Sequence, residues 1–164
     1  MIKMVEREKN CPFHFFLEKT DELGLKATIK NISDVLRVII CEDYWHPTRI
    51  TITGEDGREI PWKNVFPPVE PPPAMYHFLK PNQEFVTNNS KIYENDLYKI
   101  VWAQAQEFVL KTGKYKVRAS WNCNYGTRAL YDEHSYEEAY FISKELEKQW
   151  TGTLASNELE FELT

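Results

Sequence analysis

The chain has no apolar run approaching the roughly 20 residues that a membrane-spanning helix needs, and its opening, MIKMVEREKNCPFHFF, lacks the apolar core of a secretory signal. If Met1 is native the expected compartment is the cytoplasm. If a signal was removed it is the cell envelope or the exterior, and the sequence leaves that choice open. There is also no run of Lys and Arg. With 20 basic against 25 acidic residues and a formal net charge of -5, no basic stripe is available for a phosphate backbone, so nucleic acid is not an expected partner.

Catalytic signatures are missing too. The chain contains no GxSxG, no HExxH and no Cys–His pattern of a named protease family, so no enzyme is expected. Its four histidines, His14, His46, His77 and His134, show neither HxH nor HxxxH spacing, and no metal or other cofactor is expected. The adjacent carboxylates Asp132–Glu133 and Glu137–Glu138 stand beside lysines and read as a solvated face. Three cysteines, Cys11, Cys41 and Cys123, cannot all pair with one another and form no CxxC. Buried or idle thiols, one disulfide between Cys11 and Cys41, and a reactive thiol or metal ligand all stay open. The triplets Asn31-Ile32-Ser33 and Asn88-Asn89-Ser90 fit a glycosylation acceptor but are short enough to occur by chance. No repeat of fixed period is visible.

What is present is alternation. A chain of 164 residues, 42% of them hydrophobic, supports one sizeable core, so one domain over 1–164 is expected, with 1–12 as an arm. In GLKATIKN, Leu25, Ala27 and Ile29 oppose Lys26, Thr28 and Lys30, the two-residue period of a strand with one wet face. After the turn formers Asn31 to Asp34, VLRVIIC reads as a second strand lying against the first. TRITITGEDGREIPW gives a third, an Asp-Gly turn, and the start of a fourth at Glu59-Ile60. LKPNQEFV restarts strand character from Glu84 to Val86. The final NELEFEL alternates Leu159, Phe161 and Leu163 with Glu158, Glu160 and Glu162, which assigns the glutamates to a wet sheet face rather than to a carboxylate site.

Two segments read as helical. Leu97, Val101, Ala105 and Phe108 share helical spacing, which suggests a short helix or a long irregular insertion over 96–108. Ala139, Ile142, Leu146 and Trp150 suggest an amphipathic helix. The stretch VFPPVEPPPAMYHF, rich in proline, reads as a loop. An all-β, antiparallel sandwich of about seven or eight strands, with one or two short helical insertions, is the expected fold.

One motif narrows this. LKTGKY, residues 110–115, with Val117, Ala119 and Trp121 following on one face, looks like the tyrosine corner of immunoglobulin-like sandwiches. With GLKATIKNIS, LKPNQEF (Asn82 standing where Gly is usual) and the closing WTGTLASNELEFEL, the chain resembles bacterial immunoglobulin-like or fibronectin type III-like domains, both uncharacterised ones and intracellular proteinase inhibitors. The resemblance implies a non-catalytic binding or accessory module for another protein, with a proteinase inhibitor as the alternative. A carbohydrate- or metal-binding domain is the alternative from another class. The candidate partner-binding patch joins Tyr44, Trp45 and His46 in one predicted loop to Met75, Tyr76 and His77, which close the Pro-rich one. Aromatic rings bordered by proline suit a partner anchor; the competing reading is a lid over the open end of the core.

Overall fold

The computed structural model describes residues 11–20, 23–42, 48–65, 74–94, 97–103, 106–122 and 153–164. Among these residues the regular elements are strands, all paired antiparallel: β1 (Phe13–Lys19), β2 (Gly24–Asn31), β3 (Arg37–Glu42), β4 (Thr48–Gly54), β5 (Lys63–Asn64), β6 (Ala74–Leu79), β7 (Glu84–Glu94), β8 (Tyr98–Trp102), β9 (Gln106–Leu110), β10 (Gly113–Asn122), β11 (Thr153–Ala155) and β12 (Leu159–Leu163). One sheet has the order β1-β2-β7-β8-β9-β5. In the other, β10 is flanked by β4 on one side and by β12 and β11, end to end, on the other. β3 and β6 form a separate two-stranded ribbon.

The two sheets are held face to face by alternate side chains. Phe13, Phe15 and Leu17 of β1 join Leu25, Ala27 and Ile29 of β2 in the core, opposite Ile50, Ile52, Val117, Ala119, Trp121 and Phe161. Phe15 meets Trp121 edge-on at 6.2 Å between ring centroids. Each fully buried aliphatic or aromatic side chain contributes about 1.5–3 kcal/mol, so the alternation that marks the strands also supplies the cohesion. The fold class expected from that alternation, an all-β antiparallel sandwich, is the one found.

The LKTGKY bend behaves as its residues suggest. Gly113 takes a φ of 149°, inside the region open mainly to glycine. The Tyr115 hydroxyl donates to the Lys111 carbonyl at 2.8 Å, and its ring stacks on Phe161 at 5.5 Å. Tyr115→Phe keeps the stack and removes the hydrogen bond, so chemical denaturation is expected to show a loss of about 1 kcal/mol. Asn82, with a φ of 65°, fills the left-handed turn position that asparagine tolerates.

Several expectations are corrected. The segment 96–108 is no helix: β8 and the start of β9 take up most of its described residues, with Tyr98, Ile100 and Trp102 buried and Lys99 exposed. β-branched and aromatic residues at period two outweigh the coincidental helical stripe, whose Leu97 lies exposed. β3 does not pair with β2, whose edges are taken by β1 and β7. Residues 74–79, expected in a loop, form β6. Glu59 makes only a bridge to Thr53, and the next strand is β5. β1, FHFFLEK, also alternates, although one of its outward positions is a phenylalanine, Phe16. More strands are described than the seven or eight expected. The helix expected near 139–150 lies outside the described residues, as does most of the 1–12 arm.

Two carboxamides act where a neighbouring strand is lacking. Gln106, 2% exposed, accepts from the Ile50 N–H at 2.9 Å and donates to the Ile50 carbonyl at 3.1 Å, so one side chain satisfies the outer edge of β4 at Ile50. Asn157 accepts from the Leu17 N–H at 2.8 Å and donates to its carbonyl at 3.1 Å, doing the same for β1. A primary amide presents the same donor and acceptor pair as a peptide group, which is why it fits a strand edge.

Candidate functional site

The structure describes half of the sequence patch. Met75, Tyr76 and His77 stand on β6, in register with Cys41, Ile40 and Ile39 of β3. Tyr44, Trp45 and His46 lie outside the described residues.

Next to β6 the fold gathers apolar residues that the sequence did not single out. Asn31, 0% exposed, is the organising group. Its Nδ2 donates to the carbonyls of Val35 and Leu79, each at 2.8 Å. Its Oδ1 accepts from the Ser33 N–H at 3.0 Å and the Ser33 hydroxyl at 2.7 Å. Its backbone closes the 80–83 turn, donating to Gln83 and accepting from Asn82. This fixes the 32–36 turn against the end of β6 and leaves Ile32, Val35, Leu36 and Phe78 as an exposed apolar collar. The same bonds occupy the amide nitrogen that a glycan would need, which removes Asn31 as an acceptor in the folded chain. Ile32 and Val35 sit inside a turn, where no periodicity marks them. Only the turn formers around them were legible.

A second surface is polar. On the outer face of the sheet built on β10, Lys114, Lys116 and Arg118 run beside Glu162, Glu160 and Glu158. Register places Lys114 opposite Glu162 and Lys116 opposite Glu160. Lys116 reaches Glu158 and Glu160 at 3.8 Å each, and Arg118 reaches Glu158 at 3.3 Å. These pairs are exposed and contribute a few tenths of a kcal/mol at most. Their arrangement offsets part of the charge of Glu158 and Glu160 along a structural ladder, in line with the scaffold reading of NELEFEL. Beside the ladder a groove of about 640 Å³ is lined by Lys19, Glu55, Lys114, Tyr115, Phe161 and Glu162, among others.

Titratable and metal-ligating groups add little. Cys11 is a free thiol whose Sγ donates to the Phe13 carbonyl at 3.3 Å, so the Cys11–Cys41 disulfide is not formed. Burial pushes its thiol up, against a smaller lowering by that hydrogen bond, which slows reaction through the thiolate. His14 stacks beside Phe16 at 5.1 Å on the outer face of β1. Among the described residues no three His, Cys, Asp or Glu side chains gather as metal ligands, and no helix is long and apolar enough to cross a membrane. Compared with family models, curated proteins and solved structures, the chain matches none.

Proposed function

We propose that the chain is an immunoglobulin-like, non-catalytic module that binds another protein. The immunoglobulin-like assignment is supported by order and detail: β1-β2-β7 opposite β12-β10-β4 reproduces the A-B-E and G-F-C arrangement, and Tyr115 makes the tyrosine-corner bond at the start of the F-equivalent strand.

The observation that carries the binding role is the apolar collar of Ile32, Val35, Leu36 and Phe78. These side chains are 38–53% exposed, and the turn that carries Ile32, Val35 and Leu36 is bonded to a buried asparagine at Ser33 and Val35. Rigid apolar groups in one place lose little entropy on association, which suits an anchor for a partner. Met75, Tyr76 and His77 of the patch read from the sequence precede Phe78 along β6.

The double substitution Ile32→Asp with Leu36→Asp tests this. The protein partner recovered with the wild-type chain from its native source is expected to be lost, with a melting temperature within about 4 °C of wild type because neither side chain is buried. Retention of the same partner by the double variant excludes the collar.

A further inference from the structure

We infer that the outer edge of β12 is a docking site for an extended basic segment of a partner protein, added as a further strand. This deepens the reading of the chain as a protein-binding module and rests on it, but uses a different surface from the collar.

The first observation is an open edge. The exposed side of β4 is closed by Gln106 and by the Ile60 N–H, which donates to Ile52, and Asn157 occupies the edge of β1 at Leu17. Among the described residues β12 pairs with β10 alone, and its residues make no other backbone hydrogen bond. Which groups face outward follows from register. Ile50 and Ile52 turn their peptide groups away from β10, so Val117 and Ala119 turn theirs toward β12 and Ser156. Val117 therefore bonds to Leu159 and Tyr115 to Phe161, which leaves the N–H and C=O of Glu160 and of Glu162 pointing outward.

The second observation is charge. The residues that expose these peptide groups are glutamates, and Glu160 keeps 76% of its side chain exposed despite its contact with Lys116. Glu162 makes no ion pair. Another copy of β12 laid on this edge brings glutamate beside glutamate, which is unfavourable. A strand with Lys or Arg at alternate positions reverses the sign, so the same residues reject self-association and select a basic partner. The intervening side chains of such a strand enter the groove beside Phe161 and Lys19. Main-chain bonds then supply affinity, and alternate side chains supply choice.

The probes are fluorescein-labelled hexapeptides alternating lysine with valine, glutamate with valine, and lysine with glycine, titrated at low and physiological salt. The lysine–valine peptide is expected to bind at least about tenfold more tightly than the other two, with added salt weakening it, and to protect the Glu160 and Glu162 amides from hydrogen exchange. Glu160→Pro removes an outward N–H that no ladder uses, so the fold persists while binding falls at least about tenfold. Glu160→Gln keeps the edge and loses less. Equal binding of the lysine–valine and lysine–glycine peptides, protection elsewhere than β12, or no binding by any peptide overturns the inference. None of these outcomes bears on the collar, whose loss is read with Ile32→Asp and Leu36→Asp.

Discussion

Asn31→Asp, a change of one nitrogen to one oxygen, is expected to cost about 2–3 kcal/mol and to lower the melting temperature by about 5 °C or more. The shape is kept, so packing does not explain the loss. What changes is that the Val35 and Leu79 carbonyls, which each receive a hydrogen bond from Nδ2 at 2.8 Å, now face an acceptor. The Leu79 carbonyl loses its donor in a buried site, where an unsatisfied group costs about 1–3 kcal/mol, whereas the partly exposed Val35 carbonyl keeps the Ser33 hydroxyl at 3.1 Å and adds less. The introduced carboxyl also has to hold its charge there or take a proton. Desolvation and the facing carbonyls favour the proton, so its pKa in the folded state rises above the ordinary value of about 3.9. The unfolded chain releases that proton first as pH rises, and the penalty therefore grows above about pH 4 and shrinks below it. Denaturation of variant and wild type at matched pH checks both claims. A loss under about 1 kcal/mol at neutral pH would mean that Asn31 does not organise this end of the sandwich.

Phe161→Ala is expected to destabilise by about 3–5 kcal/mol, the usual range for emptying a buried ring site, while Glu160→Gln, one residue away, is expected to change stability by less than about 0.5 kcal/mol. Phe161 is buried against Tyr115, whose hydroxyl is fixed to Lys111. That hydrogen bond limits how far Tyr115 can move into the space, so the cavity collapses poorly and the loss should fall in the upper half of the range. Glu160 points to solvent and loses only exposed ion pairing. Urea unfolding of the two variants, with unchanged slopes, measures the contrast. Comparable losses for both would contradict the division of this strand into a core face and a wet face.

That division was legible before any coordinates because alternation is local: three apolar residues and three glutamates suffice to orient β12, and the same holds for β2 and β4. The bend at Gly113 and Tyr115 was legible for the same reason, its hydroxyl bond spanning four residues. Pairing was less legible. β3 was placed against β2 because hairpins between neighbours are common, but β3 pairs with β6, whose register partners lie more than thirty residues further along. The buried carboxamide of Asn31 stands where the chain leaves β2, and no propensity encodes that its side chain reaches both Val35 and Leu79. At β8 and β9, helical and strand periods coincide over a few residues, and the pairing with β7 decided between them. Of the candidate site, aromatic content pointed to β6 but not to the collar, which depends on a turn geometry created by those bonds. The outward peptide groups of β12 were invisible for another reason: they depend on which strands pair with β10.

Gln106 and Asn157 carry a consequence for how this molecule ages. Both hold a strand edge through a primary amide, and hydrolysis of a primary amide to a carboxylate replaces the donating nitrogen with an accepting oxygen. At Ile50 the change would occur in the dry interior, where reaching the amide first requires local opening. At Leu17 it would occur on an exposed residue, without disturbing the core side chains. The two edges thus have different chemical lifetimes: the seal on β4 lasts as long as the fold, whereas the seal on β1 can expire in a molecule that is still folded.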